Sequence, residues 1–228
     1  MEAEKHHRRI RSFVRREGKM TPGQKRALEL AWPKYGLNLE DGIVSTDAIF
    51  GREAPVILEI GFGMGRSLFN LAQHHVENNY IGIEVYRPGV GALFRAMQAE
   101  SIENIRVYTA DAVDVLNDCI QNNSLDGVLL FFPDPWHKKR HHKRRLVQSD
   151  FIDLIHRKLK SKGYFHMATD WQHYAEHVTD VMQKAEGFKN VAGDKLYIER
   201  PDSRPVTKYE KRGERLGHGV WDMLFEKI

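Results

Sequence analysis

The 228-residue chain holds a single cysteine, Cys119, so an internal disulfide is excluded. No apolar run approaches the length of a membrane span. The N-terminus is charged and lacks the apolar core of a secretory signal. There is no internal repeat, and the only low-complexity segments are two basic runs. These absences lead to the expectation of a cytoplasmic protein with no membrane partner. What is present is ordinary for a globular chain: 41% hydrophobic and 29% charged residues, enough for one α/β domain with appendages.

The net charge of +4 is small, but it is unevenly placed. Residues 1–19 contain seven Lys/Arg and three Glu. Residues 137–145, HKKRHHKRR, contain six Lys/Arg and no acid. Subtracting both segments leaves −6 for the rest of the chain. Two short cationic segments on an acidic body point to a directed contact with a polyanion.

Hydrophobic patterning predicts alternating strands and helices. Thr21 reads as the N-cap of a helix with Pro22 at its first position, ended by Pro33 and Gly36. Apolar runs at 55–61, 79–85, 104–110, 125–132 and 163–170 read as buried parallel strands. Helices are expected at 67–75, 89–100, 112–120, 149–160 (capped by Ser149 or Asp150) and 171–185. Two further strands are expected in the tail, around a long loop. The expected organisation is a basic arm and helix over 1–36 and one domain over 37–228. Such alternation gives a parallel sheet with helices on both faces, and ligands gather beyond the C-terminal strand ends.

Each strand end carries polar groups. The first runs into Gly61, Gly63 and Gly65, a loop that lets a ligand approach the backbone. A nicotinamide fingerprint would need glycine or alanine where Arg66 stands. Glu59 suits a ligand with an amino group and a sulfonium, and would repel a pyrophosphate. Glu84 ends the second strand, where an acid can accept from a ribose diol. Asp111 follows the third and could receive an adenine amino group or cap a helix. Together they would trace one adenosyl ligand. Asp134 lies between Pro133 and Pro135 in a stiff loop after the fourth strand, placed to grip a planar base. Trp136 beside it is expected to pack in the core. The basic run follows at once. His137, His141 and His142 have metal-like spacing, but six neighbouring cations oppose a divalent ion, so no metal is expected. Asp170, after the fifth strand, reads as a helix cap, and Thr207–Glu210 as a polar loop. Cys119 reads as packing.

The segments RSFVRREGKMTPGQ, LEIGFGMG, YIGIEV, FFPDPWHKKRHHKRR, ATD and RPVTKYEKRGERLGHGVWD occur in one order across nearly the whole chain. In them the sequence resembles the bacterial tRNA (guanine-N7-)-methyltransferases. That resemblance implies a Rossmann-like class I methyltransferase fold, with a seven-stranded, mostly parallel sheet whose last strand is antiparallel. It implies S-adenosylmethionine as methyl donor and N7 of guanine 46, in the tRNA variable loop, as target. It places Glu59, Glu84, Asp111 and Asp134 at the donor, with Asp134 catalytic. Lys138, Asp170 and Thr207, Lys208, Tyr209 and Glu210 match substrate-binding positions. Arg140, His141, His142, Lys143, Arg144 and Arg145 match an RNA-contacting stretch. A methyltransferase for another substrate, a nicotinamide oxidoreductase and a non-catalytic RNA-binding module are the rivals. The basic run disfavours a metabolite, the glycine spacing a nicotinamide, and acids at three strand ends a silent module. A monomer is expected, since no exposed apolar stripe invites a partner.

Overall fold

The computed structural model describes residues 12–13, 18–202, 204–206, 210 and 219–228. Its elements in chain order are α1 (Pro22–Tyr35), β1 (Gly36–Leu37), α2 (Thr46–Phe50), β2 (Val56–Ile60), α3 (Arg66–His74), β3 (Asn79–Ile83), α4 (Arg87–Glu100) and β4 (Ile105–Tyr108). They continue with α5 (Ala112–Asp118), β5 (Leu125–Phe131), α6 (Ser149–Lys158), β6 (Leu159–Thr169), α7 (Gln172–Gln183), β7 (Phe188–Asn190) and β8 (Trp221–Lys227).

Local chemistry sets several boundaries. Thr21 caps α1 through a reciprocal pair: its hydroxyl accepts from Gln24 N, and the Gln24 side chain accepts from Thr21 N at 2.9 Å. Pro33 sits inside the last turn of α1 instead of stopping it, and Gly36 ends the helix in extended backbone. Neither Ser149 nor Asp150 caps α6; Gln148 holds that position and makes no side-chain cap bond.

The strands form one sheet in the order β1-β4-β3-β2-β5-β6-β8-β7. β8 runs antiparallel to both β6 and β7, and the other pairs are parallel. Among the described residues the sheet therefore has eight strands and not seven. The extra one is β1, whose two residues pair with Val107 and Tyr108 directly after the helix that the sequence ends at Gly36. A two-residue edge strand is too short to leave an alternating pattern.

The apolar runs bury as expected: every residue of β2 and β3 is buried. One face of the sheet packs under α5, α6 and α7 through Leu58, Val128, Ile155 and Val178. The other packs under α1, α3 and α4 through Leu28, Leu68, Leu93 and Phe94. Helices on both faces leave one open edge for a ligand, the C-terminal strand ends. Sequence order reverses between β2 and β5, the switch point where such sheets bind ligands. No helix among the described residues is long and apolar enough to cross a membrane.

Candidate active site

The loop after β2 lies on one side of the switch point. Gly61, Gly63 and Gly65 all have φ between +58° and +77°, a conformation that costs other residues strain. A Cβ at Gly61 or Gly63 would meet nothing within 4 Å, so both border open space. A Cβ at Gly65 would lie 2.7 Å from Leu93 Cβ, because α4 packs against the turn.

Glu84, after β3, ties this loop to the next. Gly63 N donates to its Oε2 at 2.7 Å and Tyr86 N donates to its Oε1 at 2.9 Å. Burial raises its pKa, the backbone donors oppose that rise, and nearby Asp134 adds to it. Glu84 and Asp134 therefore share one electrostatic environment although 50 residues separate them in sequence.

Glu59 is 2% exposed, and its Oε2 has no hydrogen-bond partner among the described residues. Burial pushes its pKa up to about 8 and Glu84 contributes, with the Ser67 hydroxyl opposing in part. A buried carboxyl with an orphaned oxygen is costly unless a ligand supplies a donor. Beside open space at Gly61 and Gly63, that suits a cationic amino group. Asp111 takes up its capping role: it is the N-cap of α5 and its Oδ1 accepts from Val113 N at 3.0 Å. The buried Thr109 hydroxyl, two residues earlier, lacks a partner among the described residues, and no sequence pattern signals it.

On the other side of the switch point, β5 opens into the Asp134 loop. Phe132 and Trp136 have φ of 52° and 46°, left-handed values that are strained for aromatic residues. Between them Asp134 is exposed. Phe132 N donates to Ala168 O at 2.8 Å, which fixes the start of the loop to β6. Arg145 fixes its end: Nε donates to Pro135 O at 2.9 Å.

Trp136 is not in the core. It is half-buried, its indole N–H donates to Ser12 O at 2.9 Å, and the Arg144 guanidinium lies 3.8 Å from its ring centroid. Its left-handed backbone turns the ring outward, where a cation covers it.

The basic run forms a short 3-10 turn over Lys139–Arg144. Lys138, Lys139, Arg140 and Lys143 are exposed, and His141, His142 and Arg144 are half-buried. Partial burial and then the adjacent cations Arg140, Arg144 and Lys138 hold His141 below the usual histidine range. Arg145 differs from the rest: it is 3% exposed, lies 4.9 Å from the Tyr174 ring, and donates to Pro135 O in the loop and to His173 O in α7, so it packs against the protein.

Asp170 follows β6, two residues after the Ala168 that anchors the Asp134 loop. It does not cap α7: Trp171 is the N-cap, and its N–H donates to Thr169 Oγ1. Thr207, Lys208 and Tyr209 lie outside the described residues. Glu210 is 4% exposed and bound bidentately by Arg204, at 2.8 Å for both bonds, so its carboxylate is engaged inside the protein. The family resemblance casts it as a substrate contact, and the sequence gives Arg204 no role; a charged pair six residues apart within a polar tail leaves no periodic signal.

A sheet with this strand order, a glycine turn and acids beside the switch point defines the class I methyltransferase fold. The comparisons agree. Residues 53–223 match a family described as a putative methyltransferase. The chain is 57% identical over 222 residues to a tRNA (guanine-N(7)-)-methyltransferase of Pseudomonas putida, covering 97% of this chain and 92% of that protein. It is 57% identical over 221 residues to the protein of that name from Pseudomonas aeruginosa, covering 97% and 91%. The chain belongs to the bacterial tRNA (guanine-N(7)-)-methyltransferase family. Solved structures share the fold at low identity. The aminoglycoside resistance methyltransferase NpmB1 aligns with a TM-score of 0.54 at 17% identity, over 78% of this chain and 90% of that one. An S-adenosylmethionine-dependent methyltransferase from Aquifex aeolicus aligns with a TM-score of 0.52 at 12% identity, over 90% and 98%.

Proposed function

We propose that this protein transfers a methyl group from S-adenosylmethionine to N7 of guanine 46 in the variable loop of tRNA, acting as a cytoplasmic monomer. One observation carries the reading most directly. Exposed Asp134 stands in a strained loop at the switch point, with Glu59 in β2 and Glu84 after β3 on one side and an exposed cationic turn on the other. The exposed large apolar residues Leu30, Ile43, Met64, Val76, Val191, Val206 and Ile228 are scattered singly along the chain, which favours a monomer. Residues 37–228 would form the catalytic domain, with 1–36 as its arm and first helix.

Glu59, Glu84 and Asp111, with the backbone of Gly61, Gly63 and Gly65, would hold the donor. The donor supplies an electrophilic methyl on a positively charged sulfur. Guanine N7 has an in-plane lone pair and no proton, so no side chain has to act as a base. That lone pair forms the new bond as the carbon–sulfur pair returns to sulfur, and the guanine ring takes up the positive charge. The protein's task is orientation, which can supply up to roughly 7–11 kcal/mol. Asp134 would accept from the Watson–Crick edge of the base and stabilise the charge that develops on it. Lys138, Arg140 and Lys143 would contact phosphates.

The test is to incubate the enzyme with donor labelled in its methyl group and tRNA lacking the modification, then reduce the RNA with borohydride and treat it with aniline. Label accompanied by strand cleavage at guanine 46 is expected. Label without aniline-sensitive cleavage would place the methyl on another atom.

A further inference from the structure

We propose that Arg204 is a positioning residue for methyl transfer, fixing the Asp134 loop, the end of β6 and Glu210 in one geometry. The inference rests on the proposed function and assigns a role to a side chain outside the donor and RNA contacts.

Arg204 is 1% exposed, among the largest fully buried side chains in the protein. Four of its five N–H donors go to two carboxylates. Nε donates to Asp222 Oδ1 at 2.7 Å and Nη2 to Asp222 Oδ2 at 2.8 Å. Nη1 donates to Glu210 Oε2 and Nη2 to Glu210 Oε1, both at 2.8 Å. His166 Nε2 lies 2.8 Å from Asp222 Oδ1, and Arg200 Nη1 donates to the Arg204 carbonyl at 3.0 Å.

Each branch reaches a part of the site. Asp222 pairs across β8 with Ala168, the residue whose carbonyl anchors Phe132 and which precedes Asp170 by two. The guanidinium lies 5.6 Å from the ring centroid of Phe132, two residues before Asp134. The His166 ring meets Phe131 edge-on at 5.0 Å. Glu210 takes the remaining branch, held by Arg204 through both of its carboxylate oxygens. Only a planar, five-donor cation can satisfy both carboxylates at once.

Stability alone is a poor explanation for such a network. Desolvating one guanidinium and two carboxylates offsets most of their attraction, and apolar replacements of similar volume are often as stable. What the network provides is a fixed relation between three segments distant in sequence. A reaction that depends on in-line orientation needs that relation, and a displacement of about 1 Å costs on the order of 100-fold in rate.

The experiment compares wild type, Arg204→Lys, Glu210→Gln and the double variant. Single-turnover methyl transfer is measured at saturating tRNA and donor, beside S-adenosylhomocysteine affinity and thermal midpoint. Arg204→Lys keeps the charge but cannot make four directed bonds. Its saturated rate should fall about 30- to 100-fold, with S-adenosylhomocysteine affinity within about twofold of wild type. Glu210→Gln should show the same split, and the double variant should be little worse than either single one. If Arg204→Lys fails to fold, Glu210→Gln alone decides. An unchanged saturated rate overturns the proposal. So does a rate that falls in parallel with donor-product affinity, the signature of general loosening. Wild-type enzyme that gives tRNA no label would overturn the proposed function, and this inference with it.

Discussion

The Arg145 Nε–H donates to the carbonyl of Pro135 at 2.9 Å, so the last residue of the basic run braces the loop that presents Asp134. Its neighbours Arg140 and Lys143 face solvent. Within six residues, one cation is thus turned into the protein and two into solvent.

The two orientations separate experimentally. Arg140→Ala and Lys143→Ala should weaken tRNA binding and lower the slope of log affinity against log salt, by up to about 0.9 for each phosphate left without its cation. Arg145→Ala should leave that slope nearly unchanged. It should lower the thermal midpoint and the saturated rate, because the part-buried carbonyl of Pro135 loses its donor. An equal drop in salt slope in all three variants would make Arg145 an RNA contact after all.

Asp134→Asn keeps the shape of the side chain and removes its charge. Asn presents one acceptor where a carboxylate presents two, and it cannot offset the cation forming on guanine. The turnover number should fall by about 100-fold or more, as when a preorganised electrostatic group is removed. S-adenosylhomocysteine affinity should hold within a few-fold. It should even rise slightly if Asp134 acts through Glu84, whose pKa it helps to raise. Turnover near wild type would remove Asp134 from catalysis.

These expectations show what the sequence could and could not carry. The parallel strands are legible because each is a continuous apolar run between turn residues, and Glu59, Glu84 and Asp134 because acids interrupt those runs at their ends. Burial is not legible. Arg140 and Arg145 are the same residue type in the same run, yet one faces solvent and the other packs on Tyr174. Which way each points depends on the 3-10 turn, whose register the sequence does not signal. Trp136 departs from its expected place in the core for a related reason: aromatic residues rarely adopt left-handed backbone, so its outward turn has no propensity signal. The bond from its indole to Ser12 O spans 124 residues, beyond any local pattern.

Glu84 accepts one bond through each oxygen, from Gly63 N and from Tyr86 N. Glutamine is no conservative replacement here, because its amide NH2 would face one of those N–H donors. Glu84→Gln should therefore approach Glu84→Ala in its effects. Hydrogen bonds to a charged group are worth about 1.5–3 kcal/mol each, so loss of one should lower donor affinity by roughly 10-fold or more and reduce the thermal midpoint. Calorimetric titration with S-adenosylhomocysteine checks this. Wild-type affinity in Glu84→Gln would mean that the glycine turn holds its shape without the carboxylate.

The proposed contact of Glu59 with the donor should make donor binding sensitive to pH. Its pKa of about 8 in the ligand-free protein leaves it mostly protonated at pH 7. A cationic donor favours the carboxylate, so binding at pH 7 should release a proton from Glu59. Affinity should strengthen as pH rises towards 8, by at most about tenfold per unit, and level off above it. Stability of the free protein should move the other way. The folded pKa is raised from the ordinary 4.5, so the folded state binds the extra proton. That contribution is complete below about pH 4.5 and is lost as pH rises through 8, so the thermal midpoint of free enzyme should decline across this window. Glu59→Gln cannot titrate and should flatten both trends. Titrations in two buffers of different ionisation enthalpy count the protons directly. Equal heats in both buffers for wild type would mean that Glu59 does not change its protonation state when the donor binds.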